Sequence, residues 1–278
     1  MSLPDLMLRG VVENALLEDL GRGGDLTASL IPAGQRMTAH FVTRQDGRLC
    51  GAAAARLAIK ALDPTAHVVA SVLEGAAIEK GDSLVRVEAD ARALLSAERT
   101  ALNLMGRLSG IASLTALYVE AVAGTRAVIV DTRKTTPGLR SLEKYAVRCG
   151  GGVNHRYGLD DAILIKDNHV AACGGVAEAI RRAREVAGHL TPIEVEVDTL
   201  DQFDVALALT PDVIMLDNFS LDDLRAAVVR NHGRVRLEAS GGVRLDTVRA
   251  IAETGVDAIS VGALTHSAPV LDIGLDAI

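Results

Sequence analysis

The sequence predicts an α/β protein in two unequal parts, and three observations carry that reading. From about residue 112 onward, short apolar runs alternate with helical patterns. Before that point, strand-like alternation is mixed with helices. The core must come almost wholly from Ala, Val, Leu and Ile, because the 278 residues hold only three Phe, three Tyr and no Trp. Aliphatic cores of this kind suit helices packed on parallel strands. The length allows one large domain or two modest ones with a sizeable core.

In the first part, Leu8, Val12, Ala15 and Leu16 are spaced for a helix over 5–18, broken by Gly21, Gly23 and Gly24. Alternation through Met37, Ala39 and Phe41 predicts a strand, and the Ala-rich stretch 51–62 a helix closed by Asp63-Pro64. Strands are expected near 67–73 and 84–88, joined by Glu79-Lys80-Gly81-Asp82. The segment EGAAIEKGDSLVRVEAD has the glycine spacing of a lipoyl-type hammerhead hairpin. It lacks a lysine in the exposed turn context of a lipoyl arm, and it is read as structural. A long helix over about 91–123 follows, with Ser109-Gly110 expected to break it and mark the domain boundary.

In the second part the apolar runs are VIV (128–130), AILI (162–165), IEVEV (193–197), VIML (213–216), VRLEA (235–239) and AISV (258–261). Helical segments near 176–187, 200–209, 221–230 and 245–254 separate the later ones. Repeated strand–helix units imply a parallel sheet, and their even spacing favours closure into a barrel.

Composition narrows the function. A net charge of −7 and scarce aromatic rings argue against nucleic-acid binding, which needs a basic face or stacking platforms. No apolar run approaches the roughly 18 residues of a membrane span. The opening MSLPDLMLRG lacks a signal-peptide pattern, so a cytoplasmic protein is expected. Cys50, Cys149 and Cys173 are odd in number and far apart, and suggest neither a disulfide framework nor a zinc site.

Working residues of an α/β barrel lie at the carboxyl ends of its strands. Here each apolar run ends in, or carries, polar groups: Asp131-Thr132-Arg133-Lys134, Lys166-Asp167-Asn168-His169, Glu194 and Glu196, Asp217-Asn218, Ser240-Gly241-Gly242 and Gly262. Glu196, Asp217, Ser240 and Gly262 recur at intervals of 21, 23 and 22 residues, which places them in phase around one mouth. Within an acidic chain, the segment 133–166 concentrates Arg133, Lys134, Arg140, Lys144, Arg148, Arg156 and Lys166, with His155 beside Arg156. Lys144 and Arg148 are four apart on a predicted helix and fit a solvated face. Arg133, Lys134, Arg156 and Lys166 follow strand ends or glycine turns and suit a strongly anionic ligand. Ser240-Gly241-Gly242 is expected to open a helix, where exposed N–H groups favour an anion. Glu196 and Asp217 are suited to ribose hydroxyls or to Mg²⁺ carrying a polyphosphate, or else to a structural network with Lys134 and Lys166.

The motifs ERTALNLMGRLSGIAS (98–113), DTRKTTPGLRSLEKYAVRCGGGVNHRYGLDDAILIKDNH (131–169), EVEV, MLDNF, EASGG and SVGALTHS resemble those of the quinolinate phosphoribosyltransferase family. The likeness runs from EDLGRGGDLTASLIP (18–32) to the carboxyl end, with one extra glycine in GRGGD. It implies an incomplete α/β barrel over 112–267 and an N-terminal α/β sandwich domain over 1–111 joined by the tail 268–278. It also implies a homodimer, or an assembly of dimers, with shared active sites. The implied reaction joins quinolinate and phosphoribosyl pyrophosphate with Mg²⁺. The products are nicotinate mononucleotide, pyrophosphate and CO₂.

Carried over by residue, the resemblance implies that Arg99 (from a partner subunit), Arg133, His155 and Arg156 grip the two quinolinate carboxylates. Lys134 and Lys166 serve the pyrophosphate side and a substrate carboxylate. Glu196 and Asp217 hold ribose hydroxyls and metal. Ser240, Gly241, Gly242, Gly262 and Ala263 cradle the 5′-phosphate, and Thr132 adds a hydroxyl or backbone donor. Two rivals stand beside this. A related protein linked to molybdate transport should lack the intact GGGVNHR and ERTALNL, and a mere phosphate-ligand binder need not keep Lys134, Lys166, Glu196 and Asp217 together.

Overall fold

The computed structural model describes residues 3–278 and divides into two compact units. The first takes the chain up to Ala116 together with Thr135–Gly151 and Leu264–Ile278; the second takes Leu117–Lys134 and Gly152–Ala263. In chain order the elements begin with α1 (Asp5–Leu20), β1 (Arg36–Thr43), β2 (Gly47–Arg48), α2 (Ala52–Leu62), β3 (His67–Ala70), β4 (Ala77–Ile78), β5 (Ser83–Asp90) and α3 (Ala91–Ala121). There follow β6 (Val128–Val130), α4 (Arg140–Cys149), β7 (Ile163–Ile165), α5 (Asp167–Cys173), α6 (Val176–Val186) and β8 (Ile193–Val197). The chain ends with α7 (Leu200–Leu209), β9 (Val213–Asp217), α8 (Leu221–Asn231), β10 (Arg236–Ser240), α9 (Val248–Ala252), β11 (Ala258–Ser260), α10 (Ala263–His266) and β12 (Ile273–Ala277).

The first unit is built on an antiparallel sheet of order β12-β1-β5-β3. Ala39 and Phe41 on β1 and Val85, Val87 and Ala89 on β5 are buried at every second position, as a half-covered strand requires. α1 packs on α2 through Leu8, Val12 and Leu16. The carboxyl-terminal strand closes the sheet edge, with Thr43 opposite Ile273 and Ala39 opposite Ala277. Asp63, just past α2, accepts hydrogen bonds from Arg36 Nη1 (3.0 Å), the Asp90 N–H (2.8 Å) and the Thr65 N–H and hydroxyl (2.9 and 2.6 Å). These donors hold its carboxyl down at about 2 and tie three elements together.

Several expectations are corrected here. α3 runs unbroken through Ser109 and Gly110. The glycine serves close approach, since a Cβ there would lie 1.9 Å from the carbonyl oxygen of Pro269. The Ser109 hydroxyl takes the N–H and carbonyl of Cys50 (2.9 Å each). No hammerhead hairpin forms over 74–90: β4 pairs with β2, while the turn at 79–82 bonds Thr43 through Asp82 and Gly81. Lys144 is buried, because α4 turns Leu142, Glu143, Lys144, Ala146 and Val147 inward and leaves Arg148 exposed. Glu143, wholly buried, is met by Arg107 Nε and Nη2 (3.1 and 2.8 Å) and by the Thr136 N–H and hydroxyl (3.0 and 2.8 Å). Cys50 and Cys149, far apart in sequence, bring their sulfurs together beside Glu74, all within 4.8 Å.

The second unit is a parallel sheet of order β6-β11-β10-β9-β8-β7, with helices between successive strands. The segment after Gly152 adds to the β6 edge through a parallel bridge between Val153 and Val130. Ladder bonding does not join β6 to β7, so the barrel is incomplete. The apolar runs predicted as strands are strands, shifted by at most a residue at either end. The helix expected over 245–254 is only five residues, Val248–Ala252. Before it, Arg244 pairs with Asp246, and the Thr247 hydroxyl bonds the Arg244 backbone, forming a turn where helix was predicted. Ser240-Gly241-Gly242 therefore opens a loop and not a helix.

Candidate active site

The strand pleat puts Glu194 and Glu196 on one face of β8, Met215 and Asp217 on one face of β9, and Glu238 and Ser240 on one face of β10. Register sets Asp217 opposite Ser240, while Met215 stands between Glu196 and Glu238. Two layers result. Glu196, Asp217 and Ser240 stand at the carboxyl-end mouth; Glu194 and Glu238 stand two residues deeper along their strands.

At the mouth, the Lys166 ammonium pairs with Glu196. The His169 ring Nδ1 accepts the Lys166 N–H (2.9 Å) and holds the start of α5. Glu196, Asp198 and Asp217 each offer a carboxylate oxygen, and these oxygens lie within 4.8 Å of one another. Such a hard-oxygen set is of the kind that can hold a hard divalent cation with waters. Asn218, with φ of +56°, turns the chain directly after β9 and donates from Nδ2 to Asp217 (2.6 Å). Its N–H reaches the Ser240 carbonyl at 2.9 Å. Gly241 packs against Asn218 with no room for a side chain.

The deeper layer centres on His155. Asp131, fully buried at the end of β6, accepts the His155 N–H (2.9 Å) and the Asn154 side-chain amide (2.6 Å). His155 Nδ1 accepts the Arg156 N–H at 2.8 Å, and Nε2 lies 2.8 Å from Glu194 and 3.7 Å from Glu238. Burial, and then the nearby Glu194 charge, push the Glu238 carboxyl up to about 7. Arg156 donates from Nη1 to the Ala162 carbonyl (3.0 Å). Desolvation, and then the charge of Arg133, lower its pKa. The Nε of Arg133 and the Nε of Arg156 are both buried without a hydrogen-bond partner. A cavity of about 790 Å³ extends from this layer toward the amino ends of the strands, walled by Val128, Val130, Val213, Arg236 and the His155-Arg156 segment.

Thus Thr132, Arg133, Lys134, His155, Arg156, Lys166, Glu196, Asp217, Ser240, Gly241, Gly242, Gly262 and Ala263 all fall in the second unit. Thr132 already accepts the Lys134 N–H on its hydroxyl (3.0 Å). Arg99 is exposed on α3 in the first unit. The sequence sets Asp131 and Glu194 among the polar strand-end groups but assigns them no role, and it gives no place in the site to Asn154, Asp198 or Glu238. A signal for two of them existed: Glu194 precedes Glu196, and Glu238 precedes Ser240, by one period-2 step.

Comparison with known proteins gives a consistent result. Residues 25–109 match the model of the quinolinate phosphoribosyl transferase N-terminal domain, and residues 111–276 that of the C-terminal domain. The chain is similar to the nicotinate-nucleotide pyrophosphorylase [carboxylating] of Mycobacterium leprae, with 50% identity over 96% of each chain. It is 45% identical to the probable nicotinate-nucleotide pyrophosphorylase [carboxylating] of Bacillus subtilis, over 98% of this chain and 93% of that one. Among solved structures, the nicotinate-nucleotide pyrophosphorylase of Francisella tularensis superposes with a TM-score of 0.96 at 39% identity, covering 100% of this chain and 98% of its own. With both domain models matched across nearly its whole length, the chain belongs to the quinolinate phosphoribosyltransferase family.

Proposed function

We propose that the mouth and the layer beneath it divide the labour of the family reaction between a donor half and an acceptor half. The enzyme is a pentosyltransferase of NAD biosynthesis. It joins quinolinate to phosphoribosyl pyrophosphate and releases pyrophosphate and CO₂, leaving nicotinate mononucleotide. One observation carries the assignment of the acceptor half: two neighbouring guanidiniums, Arg133 and Arg156, each keep a buried Nε without a partner. Two like charges with unmet donors are costly unless a dianion joins them. A ring dicarboxylate is such a ligand, and His155 belongs to the same pocket.

On the donor half, Lys134 and Lys166 face the pyrophosphate, Glu196 and Asp217 the ribose hydroxyls, and Ser240, Gly241, Gly242, Gly262 and Ala263 the 5′-phosphate, with Thr132 beside them. Glu196 and Asp217, now with Asp198, are suited to hold Mg²⁺, which when bound offsets charge on the pyrophosphate. Loss of pyrophosphate from C1 leaves an oxocarbenium-like ribose. Carboxylates favour that cation and lysines favour the departing anion. The pyridine nitrogen attacks C1 as pyrophosphate leaves, the resulting pyridinium stabilises the electron pair left on C2 when the adjacent carboxylate departs as CO₂, and C2 then takes a proton from water. No general base is needed.

Exposed Arg99 suits a shared site in which a second subunit completes the acceptor pocket, so the assembly is a homodimer or a multiple of one. No helix among the described residues is long and apolar enough to cross a membrane. Adjacent free thiols at Cys50 and Cys149 suit the reducing cytoplasm. Titration calorimetry tests the acceptor pocket. Quinolinate should bind far more tightly than nicotinate, which lacks the second carboxylate; equal affinities would remove the dicarboxylate assignment.

A further inference from the structure

Glu194 and Glu238 have no part in the assignments above, yet both are buried, and each keeps an oxygen, Oε1, without a hydrogen-bond partner. Both converge on one group, the Nε2 of His155. The other ring nitrogen is committed as well. Nδ1 accepts the Arg156 N–H at 2.8 Å, so the hydrogen-bond pattern assigns the ring proton to Nε2, facing Glu194. Through Nδ1 the imidazole holds the main chain of Arg156, whose guanidinium donates from Nη1 to the Ala162 carbonyl.

We propose that Glu194 is a positioning residue for the acceptor half of the site, with the Glu238 carboxyl behind it: Glu194 fixes the His155 imidazole at Nε2, and through Nδ1 that imidazole sets the Arg156 main chain so that its guanidinium meets the dicarboxylate substrate. Asp131 supports the same segment from the other side, through the His155 N–H and the Asn154 amide. The carboxylates thus do for a binding arginine what an outer-shell carboxylate does for a metal-bound histidine, which is to fix tautomer and orientation. This inference rests on the reading of Arg156 as an acceptor-binding group.

The test uses Glu194→Ala, Glu194→Gln, Glu238→Ala and Glu238→Gln, with two readouts. The first needs no substrate: ¹⁵N spectra of histidine-labelled protein, with the His155 signals identified through His155→Gln. Wild type should show the Nε2–H tautomer, and Glu194→Ala should shift it more than Glu238→Ala. The second is steady-state kinetics. Glu194→Ala should raise KM for quinolinate about tenfold or more while KM for phosphoribosyl pyrophosphate moves little. Glu194→Gln, which keeps an acceptor for Nε2–H, should recover most of the loss. If an alanine variant does not fold, the glutamine variant and Glu194→Asp give the same comparison. An Nδ1–H tautomer in wild type, an unshifted imidazole in Glu194→Ala, or a joint rise in both KM values would overturn the proposal. Wild type that fails to turn over quinolinate would instead sink the functional reading, and the imidazole spectra would still judge the positioning claim.

Discussion

Gly241 and Asn218 stand so close that a methyl group on the glycine would lie 2.1 Å from the asparagine side-chain oxygen and 2.9 Å from its backbone nitrogen. Asn218 has nowhere to go, because its N–H bonds Ser240 and its amide bonds Asp217. The loop that follows β10 and the turn that follows β9 are therefore one locked piece, joining the proposed phosphate cradle to the proposed ribose carboxylate. Gly241→Ala adds a methyl at φ of +92°, a strain of about 1–2 kcal/mol before the clash is counted. It should raise KM for phosphoribosyl pyrophosphate at least tenfold and leave quinolinate binding nearly intact, as steady-state kinetics with each substrate varied would show.

Asp217→Asn keeps the shape of the mouth and removes one charge. Turnover should fall by a factor of a hundred or so, the usual scale for a group that stabilises transition-state charge. Quinolinate affinity measured by calorimetry should change little. Equal losses in both would assign Asp217 a structural role.

Arg133→Ala removes directed donors from a half-buried group whose Nε has no partner in the protein. Quinolinate binding should drop beyond detection in a millimolar titration, with the unfolding temperature essentially unchanged. Retained affinity would place the carboxylates elsewhere.

Stability should respond to pH through Glu238. Its carboxyl sits at about 7 in the folded protein against an ordinary 4.5, so the fold binds this proton more tightly than the unfolded chain does. That contribution is fully present below about 4.5 and is lost as pH rises through about 7, a change on the order of 3 kcal/mol. Denaturant unfolding of wild type and Glu238→Gln at pH 5 and pH 8 checks the sign: the variant should gain on wild type as the pH rises.

In the first unit, Arg107→Ala should strand the buried Glu143 carboxylate and destabilise that unit by about 3–5 kcal/mol. Thermal unfolding would register it. Glu143→Gln, which retains a carbonyl for the Thr136 and Arg107 donors, should cost less.

The parallel sheet was legible because its strands are short apolar runs closed by polar residues, a pattern that local sequence carries almost alone. The mouth was legible for the same reason, as Glu196, Asp217 and Ser240 follow each other at one-unit spacing. What escaped depended on distant partners. Gly110 looks like a helix breaker until Pro269 is seen against it, and Lys144 looks solvated until α4 is seen to be covered on that face. The strands expected near 67–73 and 84–88 do pair, as β3 antiparallel to β5, but β4 lies between them in the chain and the turn at 79–82 also bonds Thr43 on β1. The deeper carboxylates were hidden differently. Glu194 and Glu238 read as interior strand positions, and only the return of the His155 segment along β6 gives them a common partner.

The central claim is tested most directly by incubating the protein with quinolinate, phosphoribosyl pyrophosphate and Mg²⁺, following nicotinate mononucleotide by mass and CO₂ from carboxyl-labelled quinolinate, beside a reaction offering nicotinate instead. Product and one equivalent of CO₂ are expected from quinolinate, and no product from nicotinate. Product from nicotinate, or none from quinolinate, would contradict it.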